Sequence, residues 1–245
     1  MVQGILVHFK RSRIGYLWEL LDPLIQILLW FTLFVLLRGP RTIYDMNTFL
    51  FLGTGIIGIF FFQKIAQEMP GALRRQQVFL RVPAVRQIDA LIAGGISEAV
   101  VMTLVATILW STIILGGWGF APANPLGVIA SCGVLAALGF SFGAFNSMAT
   151  ILAPAYEKFL PVIFRIVFFT SGAIFPLESI PPDIFRYLQW NPAYQGVDLL
   201  RSAWSFTHET TTSSFGYVLG WVAGLVLLGL LLEKHALRFV ARNPS

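Results

Sequence analysis

Six apolar runs, each of the length a helix needs to cross hydrocarbon, constrain this chain more than any motif does. They fall near residues 20–37, 48–66, 88–115, 125–152, 159–175 and 215–232. A bilayer core asks for about 17 to 25 apolar residues per helical crossing. At that depth no water is present to satisfy backbone N–H and C=O groups, so the polypeptide must satisfy its own, which helices of this length do. The expected fold is an all-α integral membrane protein of six transmembrane helices in one domain, residues 1–245. Composition points the same way: 56% of residues are hydrophobic and 12% charged, against about 25% charged in soluble domains.

Charge placement orients the helices. With the N-terminus inside, the cytosolic segments hold Lys10, Arg11, Arg13, Lys64, Arg74, Arg75, Arg81, Arg86, Lys158, Lys234, Arg238 and Arg242, twelve of the seventeen basic residues. The outer segments hold only Arg38, Arg41, Arg186 and Arg201. Basic loops stay in the cytosol, so both termini are expected there. The densest basic stretch is KIAQEMPGALRRQQVFLRVPAVRQID, residues 64–89. Its charges lie between apolar runs and form no aromatic-interleaved face, so a net charge of +5 reflects membrane insertion rather than nucleic-acid binding.

Several chemistries are excluded by spacing. Gly53, Gly55 and Gly58 spell G-x-G-x-x-G, but inside FLFLGTGIIGIFFF there is no strand before them and no acidic residue about twenty positions on, as a dinucleotide site requires. Close helix packing accounts better for these glycines, for Gly94 and Gly95, and for the G-x-x-x-G pair Gly139 and Gly143. No G-x-x-x-x-G-K-[ST] occurs, so this chain does not hydrolyse ATP through a P-loop. Cys132 is the single cysteine and His8, His208 and His235 are scattered, so no zinc spacing is present.

Charges within spans need a reason, since each costs about 2.5 to 3.5 kcal/mol at the bilayer centre. Glu98 lies ten residues into the third span and Arg165 six into the fifth, about 15 Å and 9 Å deep. Each is either a structural partner or part of a substrate path. At the N-terminal end, IGYLWELLDP mixes Tyr16 and Trp18 with Glu19 and Asp22. This pattern suits an interfacial helix over about residues 10–22, with Pro23 starting or bending the next helix. After the fifth span, Pro181, Pro182 and Asp183 signal a short helix, Asn191 and Pro192 break it, and residues 194–204 form a second. Together, residues 176–204 read as an outer helical hairpin that re-enters the membrane, a geometry tolerated only against protein or a water-filled cavity.

Three stretches, SRIGYLWELLDPL, FLRVPAVRQIDALIAGGISE and FPLESIPPDIFRYLQWNPAYQGVDLLRSAW, resemble in order and spacing the membrane subunit of capsular-polysaccharide ABC exporters. That family lies within the wider group of ABC permeases for O-antigen and teichoic acid chains. The third stretch, with its P-P-x-x-x-x-x-L-x-W-N-P pattern, is the most specific. Members usually carry a longer segment before G-Y-L-W, whereas fourteen residues precede Gly15 here, which leaves the start of the interfacial helix open. The resemblance implies a six-span transporter subunit of the inner membrane, not an enzyme, that pairs with a second copy and two cytosolic ATPase subunits. ATP and magnesium would be held by those ATPases and no cofactor by this chain. A periplasmic adaptor and an outer-membrane exporter would receive an acidic, lipid-anchored polysaccharide.

Residue by residue, the resemblance places the ATPase-coupling helix in the cytosolic loop, over residues 64–78. Pro70 would sit in its first turn and Lys64, Glu68, Leu73, Arg74 and Arg75 would meet the ATPase. Aromatic faces can stack on sugars without tight hydrogen bonds, which makes Tyr16, Trp18, Trp30, Phe34, Phe164, Phe168 and Phe169 path candidates. Arg11, Arg13 and Arg165 suit phosphate or acidic sugar, with Glu98 as a further path residue. Pro181, Pro182, Trp190, Asn191 and Pro192 are the outer-gate candidates. Two other classes remain: a proton-coupled transporter using Glu98, which would favour inverted repeats of broken spans, and an enzyme acting on lipid-linked sugars. The latter needs clustered His or paired carboxylates, and Glu178, Asp183 and Asp198 are dispersed.

Overall fold

The computed structural model describes residues 13–39, 42–77, 87–176, 180–210 and 212–242. Eight α-helices account for most of them: α1 (Arg13–Arg38), α2 (Thr48–Gln77), α3 (Gln87–Leu115), α4 (Pro125–Leu152), α5 (Leu160–Thr170), α6 (Pro182–Leu188), α7 (Pro192–Trp204) and α8 (Phe215–Arg242). A two-stranded hairpin, β1 (Thr42–Ile43) and β2 (Met46–Asn47), joins α1 to α2, and a 3₁₀ turn, Pro154–Phe159, precedes α5. Among the described residues, four helices are long and apolar enough to cross a membrane: Thr48–Gly71, Leu91–Leu115, Pro125–Leu152 and Phe215–Glu233.

α2 is the axis of the bundle. Most of it is buried, from Leu50 and Phe51 through Ile65 to Met69, and α1, α3, α4 and α7 pack around it. Its contact with α4 is close because α4 presents glycines: a Cβ at Gly139 would stand 2.5 Å from the Phe62 carbonyl, and one at Gly143 would stand 3.0 Å from Ala66 Cα. The expected small-residue packing is thus present, with Gly58 against Leu200 of α7 and Gly95 against the Phe140 ring. The outward faces of α3 (Ile96, Val100, Leu104, Ile108) and α8 (Leu219, Leu227, Leu230) are exposed and apolar, as lipid contact requires.

Three features depart from the sequence reading. α1 is one helix over Arg13–Arg38, where an interfacial helix and a separate span are expected. Pro23 lies within it, and the turn around it is braced by Gln26 Nε2 donating to Asp22 Oδ1 at 3.3 Å. Likewise Pro70 does not open a separate coupling helix but lies inside α2. Met69 beside it packs with Leu91 and Met148, and this contact carries the helix past the one backbone N–H that proline lacks. The fifth apolar run, expected as a span over 159–175, holds only eleven helical residues, about 16 Å. It unwinds at Ser171, and Gly172 takes φ +69°.

Candidate functional site

The unwound end of α5 converges with α2 and α7 on one buried cation. Arg201, in the last turn of α7, is 3% exposed. Its Nη1 donates to Gly172 O at 2.7 Å, and its Nη2 to Ala173 O at 2.8 Å and Phe51 O at 3.3 Å. The guanidinium carbon stands 3.7 Å from the centroid of the Phe51 ring. Residues 171–174 are buried yet non-helical, so their carbonyls need partners, and the fork of an arginine supplies several at once. Gly55 makes the room: a Cβ there would lie 2.2 Å from Ala173 O and 2.3 Å from Arg201 Nη2.

α7 begins where Asn191 caps it, its side chain accepting from Ala193 N at 2.9 Å, and Pro192 fills the first helical position, as an N-terminus favours. Asn191 Nδ2 also donates to Thr170 Oγ1 at 2.8 Å, tying α7 to the end of α5. The break at Asn191 and Pro192 and the two short helices match the sequence reading. They differ in burial. α7 is buried along nearly its whole length, whereas α6 has no buried residue, and Pro181, Pro182, Ile184, Tyr187 and Trp190 are exposed.

Beyond α7 the loops close into a polar cap. Ser205 Oγ donates toward the Asp45 carboxylate at 2.6 Å and accepts from His208 N at 2.8 Å and Thr207 N at 3.0 Å. His208 Nε2 lies 2.9 Å from Asp198 Oδ1, while the Ser213 hydroxyl donates to Asp198 Oδ2 at 2.7 Å. Tyr44 stacks on the His208 ring at 3.8 Å, held by the hairpin turn in which Tyr44 and Asp45 both take positive φ. Burial alone would raise the Asp198 carboxyl, but the hydrogen bonds from His208, Thr210 and Ser213 and the charge of His208 outweigh it and hold the carboxyl below its ordinary value. Trp204 Nε1 donates to Phe120 O at 3.0 Å, which brings the α3–α4 loop into the same cap.

The predicted path residues are partly assembled. Trp30 meets Phe169 edge-on at 6.3 Å and Phe168 packs on Phe169, so α1 and α5 share an aromatic seam. Phe34 is half-buried against the core. Phe164 is buried against Phe62 and Phe142, and its carbonyl accepts from Gln63 Nε2 at 2.6 Å. Arg165 is exposed on α5, flanked by exposed Val162, Ile166 and Phe169. Glu98 is 4% exposed, within the protein. An open groove of about 300 Å³ between α3, α4 and α8, lined by Gly95, Ala99, Ala136, Phe140 and Val222, is apolar and holds neither Glu98 nor Arg165.

Of the coupling residues, Lys64 forms an ion pair with Asp22 of α1 and lies over the Phe60 ring, so it joins two helices of this chain. Glu68 is half-buried on α2, and Leu73, Arg74 and Arg75 lie on the helical continuation to Gln77. The side chains of Leu73, Arg74, Arg75, Arg13, Tyr16 and Trp18, and Arg11 as a whole, lie outside the described residues. Sequence reasoning missed the roles of Arg201, Asp22, Gln63 and the Asp198–His208 pair. For Arg201 one signal existed, a cation in the last turn of a short helix beside an apolar run. Among the described residues no three of His, Cys, Asp and Glu gather as metal ligands would.

A model of the ABC-2 type transporter family matches residues 1–204, most of the chain. The chain belongs to the ABC-2 type transporter family. ABC-2 relatives of similar length extend the match: the polysialic acid transport protein KpsM of Escherichia coli is 28% identical over 95% of this chain and 90% of its own. The capsule polysaccharide export inner-membrane protein BexB of Haemophilus influenzae is 19% identical over 96% of this chain and 88% of its own. CtrC of Neisseria meningitidis serogroup B, with the same description, is 21% identical over 94% and 86%. The match of the ABC-2 model ends at Trp204, the last residue of α7, so it takes in the α5 break, both short helices and Arg201.

Proposed function

We propose that this chain is the transmembrane subunit of an ATP-driven exporter that carries a capsular polysaccharide out of the cytosol across the inner membrane. The observation that carries the reading is end-to-end likeness to capsule-export relatives within the ABC-2 family. In this reading α1 and the α5 segment complete six crossings beside the four long apolar helices. The termini are cytosolic, and the hairpin α6–α7 re-enters from the outside beneath the cap. Two copies would line the path, because six helices alone can hardly enclose a channel wide enough for a sugar chain. ATP and magnesium belong to two separate ATPase subunits, and an adaptor with an outer-membrane exporter receives the product.

The α1–α5 seam is the surface of this chain best suited to the substrate. Trp30, Phe34, Phe168 and Phe169 offer flat apolar faces, and Arg165 is an exposed cation among apolar neighbours. Guanidinium matches carboxylate and phosphate geometry, which fits an acidic polysaccharide with a phosphate-bearing lipid anchor. Arg165→Ala should lower surface polysaccharide about tenfold at unchanged protein level, the loss of one charge-assisted contact. Unaltered export would remove Arg165 from the path.

Force must reach the bundle through α2, which runs unbroken from the cap to Gln77. Arg74 and Arg75 stand on its last two turns, a rigid extension that an ATPase can push. The double reversal Arg74→Glu, Arg75→Glu should abolish co-purification of the ATPase from detergent and leave membrane insertion intact. A complex of normal affinity would place the docking surface elsewhere.

A further inference from the structure

We propose that Arg201 is the latch of an outer gate whose moving part is α5 with its unwound end, and whose fixed part is α7. The proposal rests on the export reading above, and goes beyond it by naming the residue that holds the path shut.

The two sides of the junction are unequally held. α7 is seated on α4 and α2 through Gly196 against Leu135 and Leu200 against Gly58, and its far end is bound into the polar cap. α5, in contrast, is exposed along one side; on the other, Leu160 and Phe164 are buried in the core, and Gln63 to Phe164 O, Trp30 to Phe169, and Asn191 to Thr170 tie it to its neighbours. α6 beyond it has no buried residue. At the junction, residues 171–174 are non-helical, buried, and bent through the positive φ of Gly172. The carbonyls of Gly172 and Ala173 meet the Arg201 guanidinium at 2.7 Å and 2.8 Å. The same guanidinium reaches Phe51 O and covers the Phe51 ring. Arg201 therefore bridges the break to the central helix, from a helix whose far end is bonded into the cap. Lysine in its place has no planar fork to meet both carbonyls and the ring together. Freed of those bonds, residues 171–174 would turn their carbonyls to a water-filled path, the setting in which irregular backbone at membrane depth is stable.

The test reads the latch without reading transport. Ile174 is 2% exposed. In a Cys132→Ala background, Ile174→Cys should resist a membrane-impermeant maleimide applied from outside to intact cells. Adding Arg201→Lys, which keeps the charge, should raise labelling about tenfold or more, as loss of one or more charge-assisted hydrogen bonds implies. Equal labelling with and without Arg201→Lys, in protein of equal membrane level, would overturn the latch. A second variant guards against misfolding. Thr170→Cys with Asn191→Cys, side chains that touch at 2.8 Å in the parent, should form a cross-link that stops surface export and is reversed by reductant. Export undiminished in the cross-linked protein would show that α5 does not part from α7, and the gate would fall. Export absent in the Cys-less parent, with labelling behaving as stated, would instead count against the exporter reading and leave the latch standing.

Discussion

Gly139→Leu should remove most folded protein from the membrane. A Cβ at this position would lie 2.5 Å from the Phe62 carbonyl and 3.0 Å from Phe62 Cα, and backbone cannot rotate aside as a side chain can. Overpacking a core costs about 1–3 kcal/mol even where side chains give way. Here the helices themselves must separate, along the contact on which α2 is centred. The matched control is Gly133→Leu on the same helix, where nothing lies within 4 Å of the added atom. Membrane abundance and detergent melting temperature should fall sharply for the first and stay near the parent for the second. Equal tolerance would mean that α2 and α4 do not pack through the Gly139 face.

Asp198→Asn should be the most damaging change in the cap. The carboxylate accepts from His208 and Ser213 while buried, and His208 is in turn clamped by Tyr44 and bonded through its backbone to Ser205. Hydrogen bonds to a charged group contribute about 1.5–3 kcal/mol each, so a loss of about 2–4 kcal/mol is expected. The pH dependence has a definite sign. The folded carboxyl is held below its ordinary value, so its contribution is fully present above that ordinary value and fades as pH falls through the lower folded value. In purified protein, the difference in melting temperature between parent and Asp198→Asn should shrink as pH falls below about pH 4. His208, Asp45 and Glu209 are the other titratable groups of this cap. A difference that did not shrink below about pH 4 would show that Asp198 is not held ionised by these partners.

How much of this was legible in the sequence depended on the range of the interaction. Local signals held: Asn191 and Pro192 mark the boundary between α6 and α7 because an N-cap and an N1 proline act within one turn. Gly139 and Gly143 announce a close helix contact because their spacing returns to one face. The hairpin at residues 42–47 was not legible, since its turn puts two non-glycine residues at positive φ. Apolar run length also could not show that the fifth segment unwinds after eleven helical residues. Carbonyls of that break are met by Arg201, some thirty positions on, which also bonds Phe51, 150 positions before it. The same holds for Lys64, whose basic context suggests a docking handle, while its nearest carboxylate, Asp22, is 42 residues away in sequence. Pro70 illustrates the converse: a local signal for the first turn of a new helix is overridden, and the helix runs through it beside the cluster of Met69, Leu91 and Met148.

These long-range contacts give the ABC-2 fold of this chain a mechanical layout. In the proposed reading α2 would carry movement from the Arg74–Arg75 end to the cap, α4 and α7 being packed on it, and α1 with α5 would form the seam where a chain passes. Glu98, buried within α3, is the residue on which a proton-coupled alternative would depend.

The measurement that tests the central claim most directly is translocation by purified protein in liposomes, with and without its ATPase subunit. The account predicts that lipid-anchored acidic polysaccharide crosses only when both subunits and ATP with magnesium are present, and that Glu98→Gln still supports it. Translocation by this chain alone under a pH gradient, lost in Glu98→Gln, would contradict the account.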